Sequence, residues 1–281
     1  MKYLFVFLIS IILFTCASSK ELGLKYSANS DAIDEYHKGW VQIMDEGRYG
    51  EAEVSYRKVL EYDPDFLVGK SVLARLTLDI DERIELYKEL QEGKEKINGD
   101  ERLILDVYIA FVKYTNLRDQ KSSETKSALQ EALQIAERNL KKIVHKYPKE
   151  VYLKAEYIEI LNSLYGPKRA LDSLHIISTE SQKENPFLLG FAASMHAELE
   201  EFDIAMEKAN RLLEVVNDST QPKTFAVLAE VYFKMENLKI AKSNADRACQ
   251  LDPRNLDASR LKTKIDAAIQ EETPSKSDDI K

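Results

Sequence analysis

The chain reads as an all-α solenoid, a superhelix of about six stacked helical hairpins closed by a C-terminal capping helix. Three observations predict this class. Ala170, Ala205 and Ala241 recur at spacings of 35 and 36 residues, each near the start of a second apolar helix that answers a first. Self-similarity at this period marks a stack whose units cannot bury their apolar faces alone, so the core must run along the stack. Apolar stripes fall at i, i+3, i+4 and i+7 through most of the chain. Prolines punctuate it: Pro64, Pro148, Pro186, Pro222 and Pro253 fall at unit boundaries and Pro167 at a turn inside a unit. Proline costs about 3 kcal/mol inside a helix but is tolerated in its first turn.

The elements follow in order. Tyr36, Gly39, Trp40 and Ile43 stripe a first helix, and Tyr49, Ala52, Tyr56, Val59 and Leu60 its partner, closed by Asp63 and Pro64. Residues 66–78 and 82–94 form a shortened hairpin. After Asn98, Gly99 and Asp100, residues 101–114 form a long helix. The polar stretch 118–125 separates it from a helix carrying Leu129, Leu133, Ala136, Leu140, Ile143 and Val144. Units follow at 151–182, 186–217 and 222–253. In the last, Phe225, Leu228, Ala229 and Tyr232 face Leu238, Ala241, Ala245 and Ala248. A capping helix over 256–269 is predicted, since a terminal unit needs a polar outer face. The solenoid thus spans 32–270. Residues 271–281 are charged, almost without apolar residues, and expected to be disordered.

An aromatic, then Leu with Gly or Ala, then Tyr, followed by Ala, Phe or Tyr, Ala and Pro, is the pattern of tetratricopeptide repeats. The chain resembles that family closely at 222–253 and 33–64 and more loosely at 186–217 and 151–182. In the 33–64 copy Gly39 precedes Trp40 where the pattern has Leu-Gly. The segment from Asp65 and Phe66 to Glu101, Arg102 and Leu103 is similar to bacterial members of the family. The resemblance implies a right-handed superhelix whose first helices line a concave groove for protein or peptide partners.

At the N-terminus, Lys2 precedes an apolar run over 3–14, interrupted by Ser10. A membrane-spanning helix needs ~20 apolar residues, so this run reads as a secretory signal. Leu13, Phe14, Thr15 and Cys16 resemble the lipobox of bacterial lipoproteins, with Thr15 where Gly, Ala or Ser is usual. That resemblance implies lipidation at Cys16 and an exported protein of the bacterial cell envelope, lipid-anchored and facing the periplasm or the surface. Cleavage near Ala17 is the alternative. Residues 1–16 are therefore the signal region and 17–31 a polar tether; at ~3.5 Å per residue, the stretch from Ala17 to Asn29 reaches ~45 Å at most. With Cys16 acylated, Cys249 is left as a small buried apolar residue.

Net charge is −8, and no domain-wide basic face is present, which argues against nucleic acid. One local exception, Arg138, Lys142, His145, Lys146 and Lys149, reads first as a solvated face suited to a helix C-terminus. No catalytic or metal-binding constellation is present. His37, His145, His175 and His196 are scattered, and no phosphate loop or nucleophile elbow occurs. His196 stands where the repeat has Tyr and is expected to be packed and hydrogen-bonded. The chain is expected to need no cofactor and not to be an enzyme.

The candidate site is the concave groove, read from the non-core face of each first helix. It comprises Tyr152, Glu159 and Asn162, then Phe187 and Ser194, then Lys223, Glu230 and Phe233. The aromatics are candidate anchors, with packing between repeats as their other role; Glu159, Asn162 and Glu230 are candidate polar readers. Capture of a small molecule such as a glycan, or hydrolysis by convergent carboxylates, are the weaker alternatives.

Overall fold

A computed structural model of the chain describes residues 23–272. The signal region with Cys16, the first part of the tether and the tail beyond 272 lie outside the described residues. Helix α1 (Ser30–Trp40) runs into a π-helical turn (Val41–Glu46) and folds back as α2 (Tyr49–Tyr62). Antiparallel pairs follow: α3 (Leu67–Leu76) with α4 (Ile80–Gly93), α5 (Gly99–Asp119) with α6 (Thr125–Lys146), and α7 (Val151–Tyr165) with α8 (Pro167–Ile177). A single turn, α9 (Glu180–Lys183), leads to α10 (Pro186–Glu198) with α11 (Phe202–Val216) and α12 (Pro222–Lys234) with α13 (Leu238–Leu251). Helix α14 (Leu256–Glu272) caps the stack. The fold is an all-α solenoid of six hairpins and a cap, as the repeat period predicts. Helix α5 is longer than its sequence pattern, and the π-turn and α9 carry no periodic signal. Among the described residues no helix is long and apolar enough to cross a membrane.

Local chemistry starts and stops these helices. Pro167, Pro186 and Pro222 each occupy the first helical turn, where the missing N–H costs nothing. Asn29, Asp79, Asn185 and Asn237 accept the first amides of α1, α4, α10 and α13. At the crossings, Ala52, Ala170, Ala205 and Ala241 are fully buried, because only a methyl lets the paired backbones approach. Gly39 goes further: a Cβ there would lie 2.6 Å from the Tyr56 ring. The unusual Gly-Trp order thus seats Tyr56 over Gly39 and leaves Trp40 to pack edge-on to Tyr36 and stack on Tyr152. The core divides into three clusters, a large one from α1 to α10, one across α10 to α12, and one joining α12 and α13 to α14.

Three features depart from the sequence reading. Residues 24–29 are not a free tether. Leu24, Tyr26 and Ala28 pack against the first core cluster, and the Tyr26 ring meets Tyr36 and Phe66 edge-on at 5.2 and 5.6 Å. The Ser27 amide and hydroxyl donate to Glu101 Oε2 at 2.9 and 2.6 Å. An aromatic side chain with a place in the core outweighs the polar composition around it. Cys249, expected to be buried, is only partly so, beside the buried Ala245 and Ala248; burial still pushes its thiol pKa up.

The third departure is that the stack closes on itself. Arg48, which precedes α2, provides no side-chain cap. The carboxylate of Asp252, from the end of α13, takes that role, accepting from the Tyr49 and Gly50 amides at 2.5 and 3.2 Å. Asn255 Nδ2 donates to the Gly47 carbonyl at 2.9 Å. Arg48 Nη2 donates to Thr220 Oγ1 at 3.2 Å, and Arg254 pairs with Glu53. Gly47 has φ +74°, and a Cβ on it would lie 2.9 Å from the Lys223 amide nitrogen, so this close approach of the first hairpin to α12 requires a residue without a side chain.

Asp252→Ala should therefore remove a cap supplied from across the ring, lowering stability by about 1–2 kcal/mol. Hydrogen exchange should accelerate at the Tyr49 and Gly50 amides and stay unchanged in α6 and α7. Unchanged exchange at Tyr49 would show that Asp252 does not hold the seam.

Candidate functional site

Closure turns the concave face into an interior with two adjoining cavities of about 350 and 470 Å³. Ile43, Tyr49, Glu159, Phe187, Lys223, Asp257 and Arg260 line both, so the two form one channel. The smaller chamber continues past Ser194 and Glu230 to Lys264. The larger reaches past Arg75 and Arg83 to an apolar lip of Leu76, Leu78, Ile80 and Leu256.

Lys223 stands where the chambers meet. It follows Pro222 in the first turn of α12, which is placed by the Gly47 contact, and its ammonium lies 4.1 Å from the centre of the Phe187 ring. Burial pulls its pKa down, while Glu159, Asp257, Asp45 and Glu230 favour the charged form. Glu159, on α7, also lines both chambers. Burial pushes its carboxyl pKa up to about 7, with Glu156 and Asp257 adding to the effect and Lys223 and Arg75 opposing it. Glu230 is raised by burial too, although Ser194 Oγ donates to it at 2.5 Å. Asp257 accepts from the Tyr49 hydroxyl at 2.5 Å.

Beneath the channel, Asp45 ties the π-turn to two later units. It accepts from the Tyr152 hydroxyl at 2.5 Å, Asn185 Nδ2 at 2.9 Å and the Phe187 amide at 3.3 Å. Burial raises its pKa against these bonds. A second network, partly buried, holds the neighbouring wall, where Glu156 accepts from Arg75 Nη1 at 2.8 Å and the Tyr108 hydroxyl at 2.6 Å. Arg75 also lies over the Tyr108 ring, 4.9 Å from its centre. The arrangement offers mixed charge, hydrogen-bonding groups and one apolar lip. Among the described residues, no cluster of His, Cys, Asp and Glu is suited to a metal ion.

Five of the groove residues read from the sequence, Glu159, Phe187, Ser194, Lys223 and Glu230, are brought to this channel. These five share the inner side of the ring; Tyr152, Asn162 and Phe233 do not line the channel. Phe187 is not a free anchor, however: it is 7% exposed and belongs to the first core cluster. Tyr152 is likewise spent on structure, stacked on Trp40 and bonded to Asp45. Phe233 packs against the third core cluster, and Asn162 lies outside the channel, its Oδ1 buried without a partner among the described residues. His196 is packed and bonded to Glu201 at 2.6 Å, as expected. Sequence reasoning missed Asp45, Tyr49, Asn255, Asp257 and Arg260. They come from the first hairpin and the cap, and no local periodicity signals that these ends meet.

A family model described as Tetratricopeptide repeat matches residues 36–66. No curated protein matches the chain. Among solved structures, the chain is similar to the APC/C hetero-tetramer Cut9-Hcn1, at 13% identity and a TM-score of 0.44, over 84% of this chain and 42% of that one. The chain therefore spans less than half the length of that relative. It is also similar to YrrB, a TPR protein with an unusual peptide-binding site, at 18% identity and a TM-score of 0.38, over 74% of this chain and 97% of that one. A third likeness is to TTC0263, a thermophilic TPR protein in Thermus thermophilus, at 18% identity and a TM-score of 0.32, over 85% of this chain and 99% of that one.

The raised carboxyl of Glu159 predicts a pH signature. Its pKa stands at about 7 in the fold against 4.5 for the free group, so the folded state holds the proton more tightly. That contribution is fully present below the unfolded pKa and is lost as pH rises through the folded one. Between pH ~4.5 and ~7 the wild type should lose stability relative to Glu159→Gln, with the difference level above pH ~7. Urea midpoints of both proteins across this range measure it, and parallel curves would show that Glu159 titrates normally.

Proposed function

We propose that the channel receives an extended segment of a protein or peptide, because the chain is an all-α repeat solenoid with a tetratricopeptide-repeat match at residues 36–66, a fold that is in general a scaffold for binding proteins. The observation that carries this reading is the pair Lys223 and Glu159 at the junction of the chambers. Among the described residues, Lys223 makes a cation–π contact but no direct bond to a carboxylate, and Glu159 lies recessed without a hydrogen-bond partner. Charged groups held out of water need partners, and a peptide backbone with polar side chains supplies both donors and acceptors. The apolar lip at one end and the polar chamber at the other suit a ligand of alternating character rather than a single compact one. A glycan is less well served, because two of the lining aromatics are already occupied, Phe187 by Lys223 and Trp40 by Tyr152. The reading involves binding without a catalytic step.

We further propose that the protein is exported and held at a bacterial membrane through lipid on Cys16. The support is the short apolar leader ending at that cysteine. One acyl chain binds a membrane only marginally, so stable attachment requires more than one.

A photo-crosslinking side chain at Lys264, exposed at the channel rim, should capture a discrete adduct in intact cells, whereas one at Lys239 on the outer face should not. Lys223→Met, which keeps the stem on Phe187 and removes the charge, should abolish the adduct without changing helical circular dichroism. Equal capture from both faces would move the site out of the channel. Separately, Cys16→Ser should shift the protein to the soluble fraction, and an unmodified N-terminus beginning after Ala17 in the wild type would overturn the anchor.

A further inference from the structure

The basic face of α6 is not used by the channel, yet its position is specific. Arg138, Lys141, Lys142, His145, Lys146 and Lys149 are all exposed, with no acidic residue among positions 138–149 of a chain whose net charge is −8. Their spacing puts them on one side of the helix and its exit. Favourable placement near a helix C-terminus accounts only for the last turn, and Arg138, Lys141 and Lys142 lie before it.

The same face borders the place where the N-terminal segment enters the fold. At the start of α5, the neighbouring residues Asp100 and Glu101 hold the two partners side by side. Asp100 binds Lys146 Nζ at 2.5 Å, and Glu101 binds Ser27. Just past the basic residues, Glu150 accepts from the Leu24 amide at 3.4 Å. Lys25, exposed, adds another cation there. Cys16 precedes Gly23 by seven residues, a reach of at most ~25 Å, so an anchor at Cys16 would keep this face close to the bilayer.

We propose that the basic face of α6, with Lys25 and Lys149, rests on anionic lipid headgroups and fixes the orientation of the solenoid on the membrane. The proposal rests on the tether reading above. An acyl anchor and a basic patch reinforce one another on an anionic surface, and the contact presents one defined side of the ring to the bilayer.

The test uses the full chain, purified in detergent and reconstituted into vesicles of phosphatidylcholine alone or of equimolar phosphatidylcholine and phosphatidylglycerol. Brief amine acetylation is read by mass spectrometry at Lys141, Lys142 and Lys149, with Lys208 and Lys239 as references. On the anionic vesicles, labelling of the basic face should fall by about fivefold and recover when the lysines are screened by ~0.5 M salt. Equal labelling on both vesicles would overturn the proposal while leaving the tether intact, provided the protein floats with both. Flotation only with anionic vesicles would support the basic face and count against the tether; flotation with neither would defeat both. Protection that persists in detergent without lipid would assign the face to a protein contact and likewise overturn the proposal.

Discussion

Among the polar contacts that shut the ring, the Asp252 carboxylate makes two, to the Tyr49 and Gly50 amides that open α2. The first amides of any helix need acceptors, and α2 begins after an arginine that provides none. Asp252, on the far side of the sequence, fills the need, and the rest of the interior depends on that contact. It brings Gly47 against the backbone of Lys223, Tyr49 against Asp257 and the π-turn over the start of α10, where Asp45 takes the Phe187 amide. Without closure these groups would line an open groove on separate units. With it they face one another across a channel.

The channel's polarity follows from the same geometry. An apolar interior of this size could shrink by repacking, but ionised side chains resist burial against one another unless each is paired. Glu156 is buried and paired with the half-buried Arg75, and the two form wall. Glu159 and Lys223 are left facing the space, and the shifts in their pKa values register the cost of that position. A carboxyl that titrates near neutrality makes the charge of the channel responsive to small changes in its occupant or in pH.

The stacking was legible in the sequence because helix crossings demand small side chains at a fixed period, and Ala205 and Ala241 lie where that demand places them. Prolines marked the helix starts for an equally local reason. Closure was not legible. Asp252 reads as the turn that ends a repeat, and nothing within a dozen residues of it or of Gly47 records a contact with the other end. Tyr26 was hidden for the opposite reason, a single aromatic in a polar stretch whose pocket is built by Tyr36 and Phe66. The periodic stripe brings five of its residues to the channel, but periodicity cannot separate a residue that lines a cavity from one that fills it, so the choice between anchor and inter-repeat packing for Phe187 and Tyr152 is decided only by the packing itself.

A stack of repeats ordinarily has only local topology, each unit touching its neighbours, so that structure can grow from any point. Here the Tyr49 and Asp257 side chains meet across 208 positions of sequence. Such a contact cannot form until every intervening hairpin is in place, because the loop it closes is the whole stack. The seam is thus the last interface to assemble, and its bonds are polar, whereas the hairpins beside it are held by apolar core clusters. The molecule has the connectivity of a clasped bracelet, and parting the clasp exposes the interior while the links stay folded.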